Sequence, residues 1–87
     1  MRKHYAKWVY EALKDHQGSA TVLEVAKHIW HHHKDEIEST ESFYSWQYDF
    51  RWGATDLRKK GIMLEANKSQ RGIWELKDID LEFFNKI

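Results

Sequence analysis

Two stretches near the N-terminus carry apolar residues at helical spacing. In the first, residues three and four apart share one face: Tyr5, Trp8, Val9, Ala12 and Leu13. Gly18 closes this run, so we expect a first helix over about residues 3–16. The second stripe consists of Val22, Val25, Ala26, Ile29 and Trp30. Thr21 precedes this stripe and Glu24 follows three residues later, which is the spacing of a capping box. We expect this second helix to reach about residue 34.

The third helix is the best-defined element of the pattern. Its apolar stripe is Phe43, Trp46, Phe50, Ala54 and Leu57. Candidate N-caps before it are Ser39, Thr40 and Ser42. Gly61 suits the position after the helix, and Lys59 and Lys60 lie in the last turn, where cations interact favourably with the helix dipole.

After Gly61 the pattern changes to alternation. Ile62, Leu64 and Ala66 alternate with Met63 and Glu65, and Trp74 and Leu76 alternate with Ile73, Glu75 and Lys77. The polar stretch 67–72 lies between them, which predicts a β-hairpin. Ser19 and Ala20 are candidates for a third strand paired with this hairpin. We expect a short helix or tail over residues 79–87.

Three helices followed directly by a hairpin are the element order of a winged helix, so we predict an α+β winged-helix fold in a single domain, residues 1–87. Five Trp, four Tyr and four Phe supply bulky side chains for a small core. The absence of cysteine excludes disulfides and thiolate zinc sites and fits a cytoplasmic location. No apolar run is long enough for a membrane span or a secretory signal.

The net charge of zero hides an uneven distribution. Residues 35–50 carry a net charge of −5, whereas residues 51–77 carry +4. The basic excess therefore falls on the end of the third helix and the hairpin. Such a local excess favours contact with phosphate groups, although the whole chain is neutral.

The stretches 52–62 (WGATDLRKKGI) and 71–76 (RGIWEL) resemble the N-terminal winged-helix domain of Mrr-type restriction endonucleases. The resemblance covers about residues 42–77. It implies a DNA-targeting module of a restriction-modification system, with a nuclease domain, fused or associated, as its partner. It does not imply that these 87 residues cut DNA.

A helical wheel assigns the side chains that would face DNA. With Phe50 at the centre of the buried face, the rest of the apolar stripe falls within about 40° of it. The opposite face and its flank carry Ser45, Tyr48, Arg51, Trp52, Thr55, Arg58 and Lys59. In the major groove of double-stranded DNA these residues would meet base edges and phosphates. The loop adds the candidate wing residues Lys68, Ser69, Gln70 and Arg71.

Tyr48 and Trp52 are large aromatic residues on a face that should be wet. One interpretation is contact with thymine methyl groups, methylated or otherwise modified bases, or an extruded base. The alternative is packing against the first helix, the wing or the C-terminal tail. We expect burial more for Trp52 than for Tyr48, because a ring of that size is usually substantially buried.

The histidine run and the acidic residues offer little catalytic chemistry. His28, His31 and His32 share a helical face, but no His-Glu-x-x-His pattern occurs, and Asp35 and Glu36 are the only acids nearby in sequence. We therefore expect an exposed helix end that titrates near neutral pH, with no metal or other cofactor. The pairs Asp35/Glu36 and Asp78/Asp80 are typical of a solvated face. No nucleophile or phosphate-binding motif occurs, so we predict no enzymatic activity.

A second hypothesis is a protein-interaction or dimerisation module, because winged helices do not imply DNA binding. The zero net charge, the acidic block and the apolar residues Phe83, Phe84 and Ile87 favour it. In this interpretation the tail completes the core or pairs with a second copy in a homodimer.

Overall fold

The structure is a computed structural model that describes residues 2–77, so the expected C-terminal helix, the Asp78/Asp80 pair and the apolar tail lie outside the described residues. The elements in order are α1 (Arg2–Asp15), β1 (Ser19–Thr21), α2 (Val22–Glu38), a 3-10 turn (Glu41–Tyr44), α3 (Trp46–Lys59), a second 3-10 turn (Ala66–Lys68) and β2 (Ile73–Glu75). The predicted α+β class is confirmed. Within residues 2–77, no helix is long and apolar enough to cross a membrane.

Helices α1 and α3 form the most extensive contact of the fold. Their apolar stripes bury Tyr5, Val9 and Leu13 against Phe50 and Leu57. Gly53 makes this approach possible: a Cβ atom there would lie 2.6 Å from the carbonyl carbon of Tyr5. The helices therefore meet backbone to backbone at Gly53.

Helix α2 begins at the predicted capping box but extends beyond the predicted end. The Thr21 hydroxyl accepts from the backbone N–H of Glu24 at 3.0 Å, and the Glu24 carboxylate accepts from the N–H of Thr21 at 2.8 Å. The helix runs to Glu38, with a kink at His33. It continues because Ile37, eight residues after Ile29, returns to the same face and is fully buried. Most of the acidic block is therefore helical.

The connection to α3 differs from the prediction. Ser39 and Thr40 finish α2, each donating its hydroxyl to a carbonyl of the last turn. A 3-10 turn follows, so α3 starts later than expected, with Ser45 as its N-cap. Phe43, expected in the buried stripe of α3, lies in that turn and is 44% exposed.

The predicted hairpin is reduced to a single bridge. Gly61 takes a positive φ of 76° after α3, as expected, and the N–H groups of Ile62 and Met63 both donate to the Leu57 carbonyl. In this helix-ending turn Ile62 and Met63 are both buried, so the expected alternation of buried and exposed positions is broken. Met63 then forms an isolated bridge with Leu76, the residue after β2.

The candidate third strand becomes the main partner of β2. Strands β1 and β2 are antiparallel, with Ser19 opposite Glu75, Ala20 opposite Trp74 and Thr21 opposite Ile73. The sheet fixes the chain after α3 against the start of α2, where the N–H of Val22 donates to the Gly72 carbonyl at 3.2 Å.

Candidate nucleic-acid interface

Helix α3 has two faces of different character. The buried face holds Trp46, Phe50, Ala54 and Leu57, as the wheel predicts. The other side is open to solvent or partly so, and it carries Tyr48, Arg51, Trp52, Thr55 and Lys59. The predicted recognition face therefore exists as a surface of the molecule.

Tyr48 and Trp52 form an aromatic pair on this surface. Their ring centroids lie 6.4 Å apart with the planes at 69°, an edge-to-face arrangement. Tyr48 is 63% exposed, as expected, and Trp52 is 38% exposed. Trp52 is thus neither buried in the core nor fully open: part of its ring lies against the protein, and the rest faces solvent.

The polar residues of α3 are held by local hydrogen bonds. The Ser45 hydroxyl donates to Asp49 Oδ2 at 2.8 Å at the start of the helix, so Ser45 lies at the end of the candidate surface rather than within it. The Thr55 hydroxyl donates to the Arg51 carbonyl at 3.2 Å.

Two arginines on the flank of α3 make different contacts. Arg51 donates to the Gln47 carbonyl, lies 5.1 Å above the Phe50 ring and remains exposed. Arg58 is half-buried: its Nε donates to the Leu64 carbonyl at 3.3 Å, and its guanidinium lies 5.7 Å from the Trp74 ring. Arg58 thus ties α3 to the segment that follows it, whereas neighbouring Lys59 is exposed.

The loop before β2 presents three of its four predicted residues to solvent. Lys68, Gln70 and Arg71 are exposed. Ser69 is half-buried, and its hydroxyl donates to the Ile73 carbonyl at 3.0 Å, which closes the turn. Ser69 therefore shapes the loop, and the basic side chains on either side of it face outward.

The basic side chains of residues 51–77 make no ion pair in the described structure. The ion pairs between residues 2 and 77 lie in α1 and α2, where they join Asp15 to His28, Glu11 and Glu36 to His33, and Lys34 to Glu38. Among residues 2–77, no carboxylate therefore lies within ion-pairing distance of these basic side chains.

A groove between α2 and the first turns of α3 was not anticipated from the sequence. It encloses about 630 Å³ and is lined by Val22, Leu23, Ala26, Lys27, Trp30, Phe43, Trp46, Gln47, Phe50 and Arg51. The Trp30 and Trp46 rings stack within it, with centroids 5.3 Å apart. The signal in the sequence was Trp30, a large aromatic residue in the stripe of α2, but its partner became clear only from how the helices pack.

The histidine run is less exposed than expected. The His33 ring stacks on Trp8 at 3.9 Å and contacts Glu11 and Glu36, and His28 pairs with Asp15. Only His31 and His32 are exposed. Sequence neighbours alone could not reveal the acids from α1.

Comparisons with protein-family models, curated proteins and solved structures find no match to this chain.

Proposed function

We propose that this chain is a winged-helix module that binds double-stranded DNA. In this proposal α3 enters the major groove, and the loop before β2 contacts the backbone. The order of elements supports it: a strand between the first two helices pairs with the strand that follows the third. Positions 45–59 and 68–71 then belong to one interface.

The observation that carries the proposal is the exposed face of α3. It combines the Tyr48–Trp52 pair with Arg51 and Lys59, and no carboxylate in the described structure pairs with these cations. Phosphate contacts supply most of the affinity of DNA-binding proteins, and side chains in the groove supply the specificity. This face offers both kinds of group.

The aromatic pair suggests which bases would be preferred. An exposed Tyr and a half-exposed Trp contact an added methyl group or a displaced base better than they contact the polar edge of an ordinary base. We therefore propose a preference for methylated or otherwise modified DNA. The resemblance to Mrr-type targeting domains supports the same choice and implies a nuclease domain as partner.

Fluorescence anisotropy with labelled duplexes, modified and unmodified, at two salt concentrations tests this proposal. We expect binding that weakens as salt rises, because cations released from DNA drive phosphate contact. Tyr48→Ala should weaken binding by about tenfold or more, in line with about 1–3 kcal/mol for a base–aromatic contact. Its control is Tyr44→Ala, which removes the same side chain from a site that is 89% exposed and outside the face.

Three results would contradict the proposal. The first is an absence of binding at low salt. The second is binding that is insensitive to salt, and the third is binding that Tyr48→Ala and Tyr44→Ala weaken equally, because neither of these patterns fits docking of the α3 face on DNA.

A second candidate function is protein binding at the groove between α2 and α3. The stacked Trp30 and Trp46 offer an apolar floor, with Lys27 and Arg51 at its margin. These cations favour an apolar peptide that carries acidic side chains. Lys27→Glu should abolish binding of such a peptide and leave DNA affinity within twofold, because Lys27 lies outside the α3 face. Peptide binding that survives Lys27→Glu would contradict this second candidate.

A further inference from the structure

Three side chains from two helices converge at the end of α1. His28 and His32 lie one turn apart on α2, and Asp15 is the last residue of α1. The Nε2 atom of His28 donates to Oδ2 of Asp15 at 2.8 Å. The rings of His28 and His32 lie 4.2 Å apart, and one potential ligand atom from each of the three residues lies within 4.8 Å of the other two.

The three groups differ in how firmly they are held. The His28 side chain is only 11% exposed, and its Nδ1 atom is buried without a hydrogen-bond partner among the described residues. The Asp15 carboxylate is largely exposed, and His32 is exposed. One ligand is thus fixed by packing, and two can adjust around it.

We propose that Asp15, His28 and His32 bind a divalent transition-metal ion, with zinc as the representative. On binding, the Nε2 proton that His28 shares with Asp15 moves to Nδ1, so that Nε2 becomes the ligand atom. Two imidazoles and one carboxylate form a donor set that zinc and its neighbours accept, whereas magnesium and calcium prefer oxygen ligands alone. Metal–ligand bonds of about 2.0–2.1 Å in a tetrahedral site separate the ligand atoms by about 3.3 Å. The exposed His32 and Asp15 side chains reach that spacing by rotation.

The surroundings leave room for the ion. A cavity of about 330 Å³ opens beside the three ligands and is also lined by Glu11, Lys14 and His33. Glu11 Oε1 lies 3.6 Å from His33 Nε2, and the fourth coordination position is left to water. The ion would connect the end of α1 to the middle of α2 and stabilise the fold, because the unfolded chain does not hold the three ligands together.

This inference does not depend on DNA binding. The sequence alone pointed away from a metal because the acids nearest in sequence, Asp35 and Glu36, follow the histidines. The carboxylate that completes the set comes instead from α1, thirteen residues before His28.

Zinc titration of the full chain, purified without a polyhistidine tag, tests the proposal. Calorimetry should show one zinc ion per chain, and zinc should raise the melting temperature by several degrees. Asp15→Asn and His32→Gln should each weaken zinc binding at least tenfold, as expected for lost ligands. The control, His31→Gln, removes an adjacent exposed histidine outside the trio and should change the affinity less than twofold.

These variants distinguish zinc binding by the three proposed ligands from nonspecific zinc binding by the histidine run. If Asp15→Asn has no effect, or His31→Gln weakens binding as much as His32→Gln, the run binds zinc without the proposed geometry and the inference is wrong. An absence of zinc binding by the unaltered chain also overturns it. Circular dichroism without zinc verifies that each variant is folded, and His32→Gln changes only an exposed side chain.

Discussion

At the scale of single residues, Gly53 has the clearest structural role. It lies where the backbones of α1 and α3 touch, with Tyr5 and Ala6 directly opposite. A glycine in the middle of a helix usually makes the helix less stable than an alanine at the same position. Here the glycine is required by the close approach, which no helical wheel of α3 alone could show.

Gly53→Ala should therefore lower the free energy of unfolding by about 1–3 kcal/mol or more, although alanine is the better helix former. The control is Gln47→Ala on the same helix, at an exposed position, which should change it by less than about 0.5 kcal/mol. Urea unfolding measures both. A Gly53→Ala variant as stable as the parent would contradict the close contact of the two backbones.

Glu24 gives the capping box a pH dependence. The hydrogen bond from the Thr21 backbone, and then that from the Thr21 hydroxyl, holds the pKa of this carboxyl below its ordinary value of 4.5, and His16 and Lys27 add smaller effects in the same direction. A depressed pKa means that the folded state favours the carboxylate. The stabilisation is complete above pH 4.5 and is lost as the pH falls through the lower, folded-state pKa.

Glu24→Gln should therefore flatten the fall in stability with acid, because glutamine keeps a capping side chain but does not titrate. The measurement is the free energy of unfolding at a series of pH values below 5. Glu65→Gln, an exposed acid whose side chain makes no capping hydrogen bond, serves as control and should follow the parent curve more closely. Identical curves for the parent and Glu24→Gln would contradict the assignment.

At the scale of elements, local signals predicted the helices well. The capping box, the apolar stripes and Gly61 each act within a few residues, so the sequence contains what determines them. The end of α2 was predicted too early, because the acidic block was expected to end the helix although it contains the apolar Ile37. Ile37 is fully buried, and that burial, which depends on the other helices, extends the helix through the acidic block.

Strand pairing was harder to predict because it is nonlocal. The alternation after Gly61 favoured a hairpin, but the turn that ends α3 uses the N–H groups of Ile62 and Met63. Strand β2 then pairs with β1, more than fifty residues earlier in the chain. The exposed face of α3 followed from periodicity, whereas the α2–α3 groove and the Asp15–histidine cluster required the packing of separate helices.

Arg58 and Lys59 are adjacent, but Arg58 contacts the segment after α3 whereas Lys59 is exposed to solvent. Arg58→Gln should lower the free energy of unfolding by about 1 kcal/mol, because it loses the hydrogen bond to Leu64 and the contact with Trp74. Lys59→Gln should leave the free energy of unfolding within about 0.5 kcal/mol of the parent value. It should lower the slope of log affinity against log salt concentration by about one, the effect of one lost phosphate contact.

Urea unfolding of both variants measures the effect on stability, and fluorescence anisotropy measures the effect on DNA binding. If Lys59→Gln leaves the salt slope unchanged, Lys59 does not contact phosphate. If Arg58→Gln is as stable as the parent, the bond to the segment after α3 contributes nothing measurable.

At the scale of the whole molecule, neutrality conceals an organised charge distribution. Four carboxylates of α1 and α2 pair with histidines or Lys34, and the cations of residues 51–77 remain without such pairs in the described structure. A chain of zero net charge can therefore carry a local cationic excess over residues 51–77, although Asp49 and Asp56 also lie on α3.

The most direct test of the central proposal is the mapping of chemical shifts by NMR as a duplex is added to the isotopically labelled chain. We predict that the perturbed amides and indoles cluster on residues 45–59 and 68–71, and that the α1 positions away from α3 stay unchanged. Perturbations confined to α1 and the histidine run, or none at low salt with duplex in excess, would contradict docking through α3 and the loop.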